Sequence, residues 1–298
     1  MELRHLRYFV LLAEELHFAR AADRLGISQP PLSQQIRALE EELGVRLLAR
    51  TSRRVALTPA GTLFLEAARR TLDEAELAIA VARRAASGEL GTLRVGFNAS
   101  APFIPSVAAA IHHYRQTYPD VGLLLKEVAG PAQIEAIVSR SLDIGFLRTP
   151  RPPVLPATLT ASLLLEDRLF VGMRPDHRLA AGDGVRWAQL AGEPLVVYAS
   201  DRSGGFSEHV FRLMRDAGVE PEVAQSVQEI STLFGLTAAG VGVTIIAGSL
   251  RAMQSAGLVY RPVVDAGAVS SMWMVRRRDD DQPTCANFLA LMDGATAA

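Results

Sequence analysis

Residues 21–36 place the end of one helix and the start of another within a few positions. A short helix with apolar residues on one side is expected to end at Gly26. A second helix is expected to begin directly afterwards, because Ser28 can accept hydrogen bonds from its free N–H groups and Pro30 and Pro31 fit its first turn. The segment therefore predicts a helix, a tight turn and a second helix.

The second helix combines an apolar stripe with an opposite polar surface. The stripe is expected to face a core, because its members are four, three and four residues apart. They are Leu32, Ile36, Leu39 and Leu43. Gln34 and Arg37 point the other way, where amide and guanidinium groups can reach base edges in a DNA major groove. An ordinary helical hairpin with a solvated polar face is the alternative. The candidate DNA-contacting residues here are Ser28, Gln29, Pro30, Pro31, Ser33, Gln34 and Arg37.

Two short β-prone runs follow Gly44 and flank a turn rich in Arg, Ser and Thr. This pattern predicts a β-hairpin, or wing, beside the second helix. Arg50, Arg53 and Arg54 are expected near its tip, where they would contact the DNA backbone without reading its sequence.

These residues resemble the LysR-type bacterial transcriptional regulators. The similarity is dense over the first sixty residues and looser over the remaining length. The residues that carry it are Leu3–Phe9, Ala19–Ala22, Ser28–Ser33, Ile36, Leu39–Glu40, Leu43–Gly44, Arg50 and Leu57–Gly61. One departure is Leu48, where the family commonly has Phe, and this apolar exchange leaves the functional expectations unchanged. The resemblance implies a winged helix-turn-helix, a long linker helix and a two-lobed α/β effector domain similar to periplasmic solute-binding proteins.

Composition limits where the evidence for nucleic-acid binding can lie. The net charge is -1 over 298 residues, and residues 1–58 contain nine Arg against seven acidic residues, a surplus of two. Weak non-specific binding is therefore expected, with specificity arising from shape and from several bound copies.

The single Cys285 excludes an internal disulfide, fits a reducing cytosol and is expected to be a small buried apolar residue.

A long helix is expected to follow the wing, from Pro59 to the Ser87–Gly88 pair, with Thr58 as its N-cap. Large apolar residues and Ala alternate along a heptad seam. The seam contains Leu65, Ala68, Leu72, Ala75, Ile79, Ala82 and Ala86. It predicts a dimerisation helix, and the family resemblance implies antiparallel pairing. The alternative is a helix that packs on its own domain.

Strands and helices alternate after a glycine-containing hinge at residues 87–92, which favours mostly parallel sheets in two lobes. The predicted strands are 93–97, 121–128, 143–147, 168–173, 195–198, 223–227, 243–246 and 259–264, and the predicted helices are 105–118, 132–139, 206–217 and 230–239. The predicted domains are 1–58 for DNA binding, 59–88 for the linker and 89–298 for the effector. Lobe I is expected at about 92–165 and 265–298, and lobe II at about 166–264.

The uncharged segment 230–250 is long enough for a membrane span, but its glycines and hydroxyl residues favour a helix, a turn and a buried strand.

An effector site is expected where strands of the α/β region end near helix N-termini. The candidate residues are Asn98, Ser100, Arg148, Arg202 and Phe206. The family resemblance places Ser100 as the hydroxyl that receives an effector carboxylate, and Arg148 and Arg202 could add positive charge. The alternatives are a helix cap for Ser100, an ion pair between lobes for Arg148, a solvated loop residue for Arg202 and a core residue for Phe206.

The resemblance extends to the branch that senses intermediates of aromatic-compound degradation, such as muconates. That branch also uses a Thr in a second loop, but this chain has Gly130 there, so an organic anion is expected and muconate itself is not carried over.

Motifs of catalysis are not found in the sequence: it has no P-loop, no dinucleotide fingerprint, no nucleophile elbow and no zinc-protease motif. No cofactor, metal or enzymatic activity is therefore expected. The expected partners are double-stranded DNA, a small organic effector, further copies of the chain in a dimer or tetramer, and RNA polymerase, all in the bacterial cytoplasm at the nucleoid. A cytosolic small-molecule carrier or enzyme, with N-terminal helices used for assembly, is the alternative.

Overall fold

The computed structural model describes residues 1–50, 54–199 and 205–296. The chain divides into two compact units, Met1–Arg84 and Ala85–Ala298. The helix that contains the boundary, α4, runs over Pro59–Ala86.

The first unit begins with three helices and a two-stranded hairpin. These are α1 (Leu3–Glu15), α2 (Phe18–Leu25), α3 (Gln29–Leu43), β1 (Leu48–Arg50) and β2 (Val55–Leu57). The hairpin is antiparallel and pairs Leu48 with Leu57. Three of the four predicted stripe residues, Leu32, Ile36 and Leu39, are fully buried in the core of this unit. The fourth, Leu43, lies at the surface because α3 extends beyond that core in its last turn.

The predicted helix caps have different outcomes. Gly26 ends α2 in the left-handed conformation, with φ of 66°. Ser28 is the N-cap residue of α3, but its side chain makes no capping hydrogen bond, so the expected stabilisation by its hydroxyl is wrong. Prolines in the first turn remove part of the need for a cap, because Pro has no N–H to satisfy. Thr58 does cap α4, because its Oγ1 accepts a 2.9 Å hydrogen bond from the Gly61 N–H.

The heptad seam of α4 is divided between two environments. Ala68 is buried in the core of the first unit, and Leu65 and Leu72 pack against that core. For these residues the alternative of packing on their own domain is correct. Ile79, by contrast, is 47% exposed, and Leu77 and Val81 beside it are also exposed.

The second unit is an α/β domain. Its strands are β3 (Gly91–Phe97), β4 (Val121–Glu127), β5 (Ile144–Thr149), β6 (Leu159–Met173), β7 (Pro194–Tyr198), β8 (Glu222–Val227), β9 (Thr244–Ala247), β10 (Val259–Pro262) and β11 (Val269–Arg277). Its helices are α5 (Pro105–Thr117), α6 (Gly130–Val138), α7 (Phe206–Asp216), α8 (Ile230–Ala238) and α9 (Pro283–Thr296). Short 3₁₀ turns cover Ala101–Phe103, Trp187–Leu190 and Gly248–Met253.

The long strand β6 belongs to both lobes. Its first part pairs with β11, and its last part pairs with β9 and β10. Both β6 and β11 run antiparallel to their neighbours, whereas β3, β4 and β5, and also β7 and β8, pair in parallel. The expectation of mostly parallel sheets is therefore wrong, because β6 pairs antiparallel with β9, β10 and β11, and β11 pairs antiparallel with β5. The limits predicted for the two lobes stay a prediction.

The first lobe has a core in which the C-terminal helix α9 packs on β3 and α5. Tyr114 of α5 lies edge-on to Phe288 of α9 and donates a 3.0 Å hydrogen bond to the Thr284 carbonyl oxygen. Cys285 is buried in this core, as predicted. A second core surrounds Trp187 and Met214 in the other lobe.

The hinge predicted after α4 is held by α9. Asn287 Nδ2 donates hydrogen bonds of 2.9 Å to the Ser87 carbonyl oxygen and 3.4 Å to that of Gly88. Gly88 has φ of 73°, and a side chain there would meet Asn287 and the backbone of Pro283. The glycine is therefore needed for the close approach of these segments.

Candidate DNA-contacting surface and effector site

The outer surface of α3 exposes the residues predicted to contact DNA. Gln29, Pro30, Pro31, Gln34 and Arg37 are exposed. Ser28 is also exposed, and Ser33 is partly buried. Because the apolar face of α3 is fixed in the core, these side chains lie on a rigid element with a defined orientation. Such an element can present amide and guanidinium groups to base edges.

The wing is attached to α3 through Glu40, a connection that the sequence did not reveal. Glu40 Oε1 accepts hydrogen bonds from the N–H groups of Leu47 and Leu48, at 2.9 and 3.0 Å. Its Oε2 accepts a 2.7 Å hydrogen bond from Arg50 Nη2, and the Arg50 guanidinium lies 5.0 Å from the centre of the Phe18 ring. One carboxylate thus fixes the start of β1 and orients Arg50.

The three wing arginines are placed differently. Arg50 is partly buried in its pair with Glu40, so its contact with DNA stays a prediction. Arg54 is exposed at the start of β2. Arg53 lies outside the described residues.

A cavity of about 50 Å³ lies in the second unit. Four of the five predicted effector residues line it, namely Asn98, Ser100, Arg148 and Phe206, and Arg202 lies outside the described part of the chain. The remaining lining is Ala99, Tyr198, Ile230, Leu233, Ile245, Ile246, Ala247 and Leu250. Asn98, Ala99 and Ser100 follow β3, and Arg148 and Tyr198 lie near the ends of β5 and β7. The other lining residues belong to α7, α8, β9 and the 3₁₀ turn after β9, so both lobes contribute to the cavity.

Arg148 is the charged member of this lining among the residues that the structure describes. Its Nε donates a 2.9 Å hydrogen bond to Ser100 Oγ, and its Nη2 donates to Asp167 Oδ2 and to Ser249 Oγ, both at 3.1 Å. The side chain is 5% exposed, and its Nη1 is buried without a partner among the described residues. Burial lowers the pKa of the guanidinium, and the Asp167 carboxylate opposes this shift. An ion pair between β5 and β6 is therefore present together with an unused donor, and the alternative that this pair joins the two lobes stays a prediction.

Ser100 and Asn98 form the polar edge of the cavity after β3. Ser100 precedes the 3₁₀ turn Ala101–Phe103 but makes no side-chain capping hydrogen bond. Its hydroxyl donates to Asn98 Oδ1 at 3.1 Å while it accepts from Arg148. The Ser100 side chain therefore links the loop after β3 to the guanidinium.

Two residues at this site, Asp167 and Ser249, were not predicted from the sequence. Asp167 in β6 accepts hydrogen bonds on both carboxylate oxygens from the Ser249 N–H, at 3.2 and 3.1 Å. Gly248 allows this approach, because a side chain there would lie 2.8 Å from Asp167 Oδ1. The sequence signal for Asp167 was an acidic residue inside an apolar strand. No such signal links Ser249 to Arg148, because the two residues are 101 positions apart in the chain. Only the fold brings them together.

Gln133 in α6 has a structural role beside the site. It is completely buried, and its Nε2 donates hydrogen bonds to the carbonyl oxygens of Val128 and Phe146, at 2.8 and 3.2 Å. It lies over Gly96 and Gly145, where side chains would approach its Oε1. Gln133 thus supports the strands whose ends form the cavity.

Within the described ranges, no helix is long and apolar enough to cross a membrane. The uncharged segment 230–250 instead forms α8, a turn and β9, as predicted.

Comparison with known proteins assigns both units to a family. Residues 3–62 match the family described as bacterial regulatory helix-turn-helix protein, lysR family. Residues 86–296 match the LysR substrate binding domain.

Relatives match almost the whole chain. An uncharacterised HTH-type transcriptional regulator, YnfL of Escherichia coli, is 43% identical over 97% of this chain and 96% of its own length. The HTH-type transcriptional regulator BenM of Acinetobacter baylyi is 38% identical over 94% and 91%. A crystal structure of full-length CbnR complexed with its target DNA has a TM-score of 0.85 at 28% identity, covering 99% of this chain and 100% of CbnR. The chain therefore belongs to the LysR family of bacterial transcriptional regulators.

Proposed function

We propose that this regulator reads its DNA site through the exposed surface of α3, with Gln34 and Arg37 as base-contacting residues. The observation that supports this is their exposure directly opposite Leu32 and Ile36, which are fully buried. Ser28, Gln29, Pro30, Pro31 and Ser33 would contact the DNA around the start of α3, and Arg50, Arg53 and Arg54 its backbone. The similarity to CbnR, which has been crystallised with its target DNA, supports this assignment.

A gel-shift titration with the upstream region of the protein's own gene tests the proposal. Gln34→Ala and Arg37→Ala should each weaken specific binding by about 1–3 kcal/mol if each residue reads a base. Arg115→Ala, which removes an exposed charge from α5, is the control and should bind normally. Unchanged binding by both α3 variants would remove these residues from base reading.

The cavity beside Arg148 is the proposed effector site, and the ligand is proposed to be a small organic anion. The supporting observation is a buried guanidinium whose Nη1 has no acceptor among the described residues, next to a largely apolar lining. A buried donor without a partner is costly, so a ligand oxygen at this position would be stabilised. BenM, whose effector-binding domain has been crystallised with its effector benzoate, is similar to this chain over that domain, with a TM-score of 0.63.

Thermal-shift screening of the full-length chain against organic acids tests this site. A ligand at a hundred times its dissociation constant should add about 2.7 kcal/mol of stability. Arg148→Met should remove the shift, whereas Arg115→Met should retain it. A shift of equal size in both variants would place the effector elsewhere.

We further propose that α4 joins two copies of the chain and that dimers assemble into a tetramer. Leu77, Ile79 and Val81 leave apolar surface exposed on the second half of α4. Sedimentation velocity should show a dimer or larger species, and Ile79→Glu should shift the population toward the monomer. The matched change Glu76→Gln on the same helix should leave the population unchanged, and a monomeric wild-type chain would contradict the proposal.

The proposed setting is the bacterial cytoplasm, where the protein would bind nucleoid DNA and contact RNA polymerase. We propose a regulatory and not a catalytic role, on the basis of the family to which the chain belongs.

A further inference from the structure

The formal charges of Arg148 and Asp167, the buried ionised pair at the cavity within the described ranges, cancel. Arg148 contributes one positive charge, and Asp167 balances it with a 3.1 Å ion pair. Both side chains are buried, so water screens this pair weakly.

Two helices begin at the cavity and supply partial positive charge. Phe206 is the first residue of α7, Ile230 is the first residue of α8, and both line the cavity. Neither helix has a side-chain hydrogen bond at its N-cap. Because a helix N-terminus is equivalent to roughly half an elementary charge, the two together can balance about one negative charge. The acidic residues closest in sequence, Glu208 and Glu229, are exposed to solvent.

The Nη1 of Arg148 supplies the directional contact. It is buried, and Nε and Nη2 of the same guanidinium already have acceptors within the described part of the chain. One oxygen of a ligand carboxylate would complete the hydrogen bonding of this group. The rest of the cavity is formed largely by Ile, Leu, Phe and Ala side chains, which favour an apolar ligand body.

From these observations we propose that the site selects organic acids with a single negative charge and an apolar body, and that Asp167 is the residue that discriminates against dicarboxylates. A second carboxylate would find no further positive side chain among the described residues of the lining, because Arg148 is the charged member there and Asp167 already neutralises it. This inference rests on the cavity being the effector site, as proposed above.

Matched ligands that differ in charge but keep their carbon skeleton provide the test. Isothermal titration calorimetry on the full-length protein would compare terephthalate with monomethyl terephthalate and benzoate, and adipate with monomethyl adipate and hexanoate. We expect a monoanion in at least one series to bind, and to bind at least tenfold more tightly than its matched dianion. A dianion that binds as tightly as its monoester, or no binding by any of the monoanions, would overturn the proposal.

Two variants separate this inference from the proposal about the site. Asp167→Asn should reduce the preference for the monoanion at least tenfold, because it removes the charge that opposes a second carboxylate. Arg148→Met should abolish binding of every ligand in the panel. If the monoanions bind equally well to Arg148→Met, the effector-site proposal fails. If Arg148→Met abolishes binding but dianions bind the wild type best, the proposed selection for monoanions fails and the effector-site proposal stands. The wild-type comparison remains decisive if Asp167→Asn does not fold.

Discussion

Arg148 and Asp167 form a buried ion pair, with 3.1 Å between Nη2 and Oδ2, that joins β5 to β6. The same guanidinium nitrogen donates to Ser249 Oγ, and Asp167 accepts from the Ser249 N–H. The pair therefore connects the 3₁₀ turn Gly248–Met253 with β5 and β6. Each side chain can stay ionised in the buried site because the other neutralises its charge.

Removing one partner of this pair should be more damaging than removing both. Asp167→Ala leaves the Arg148 charge buried and should lower the free energy of unfolding by about 3–5 kcal/mol. The double variant Arg148→Met with Asp167→Leu should lose less, because neither charge remains. Urea unfolding followed by tryptophan fluorescence suits this test, since both tryptophans, Trp187 and Trp273, lie in the second unit. A double variant less stable than Asp167→Ala would contradict the argument.

The salt dependence of DNA binding should distinguish Arg50 from Arg54. Arg50 donates to Glu40 at 2.7 Å, whereas Arg54 is exposed at the start of β2. Each phosphate contact contributes about 0.9 to the slope of log K against log salt. Arg54→Met should therefore lower the slope by about one, and Arg50→Met should lower it by less, because the Glu40 carboxylate already neutralises part of the Arg50 charge. An unchanged slope in both variants would contradict the proposed backbone contacts.

Gly145→Ala, which adds one methyl group, should destabilise the second unit. The added carbon would lie 2.8 Å from Gln133 Oε1 and 2.9 Å from Ile137 Cδ1. Overpacking of this kind costs about 1–3 kcal/mol. Gly235→Ala in α8 is the control, because nothing lies within 4 Å of the added carbon, and it should stabilise by about 0.5–1 kcal/mol. If Gly145→Ala and Gly235→Ala changed the free energy of unfolding in urea equally, the contact at Gln133 would have relaxed without cost, contrary to the prediction.

Alkaline pH should weaken the second unit through Cys285. Burial raises the pKa of its thiol to about 12, from an ordinary value of 9.0. Because the unfolded chain releases this proton first, the stabilisation is complete below about pH 9 and is lost as the pH rises toward 12. The loss should approach about 1.4 kcal/mol per pH unit within that interval.

Urea unfolding between pH 8 and 10.5 measures this slope, and Cys285→Ala should reduce it. Burial also raises the pKa of Tyr114, so a smaller slope of the same sign should remain in the variant. A wild-type thiol that reacts with iodoacetamide as fast in the folded as in the unfolded protein would argue against its burial.

The amino-acid sequence by itself determined the local elements and the type of protein. The spacing of Leu32, Ile36 and Leu39 predicted the buried face of α3, and the Thr58–Pro59 start of α4 was confirmed. These features depend on residues close together along the chain, where helical period and capping act directly. The sequence also predicted that Ser100 and Arg148 would lie at one site, because strand ends before helices often form ligand sites, and both residues line the same cavity.

Tertiary structure alone decided which distant groups meet. Glu40 holds the wing, Asp167 neutralises Arg148, and β6 pairs with strands of both lobes, yet none of these has a local pattern in the sequence. The same is true of α4, whose heptad residues Leu65 and Leu72 pack on their own unit while Ile79 remains exposed. Periodicity shows that a face is apolar. Which surface covers that face depends on the free energy of all the packed alternatives, which only the complete fold resolves.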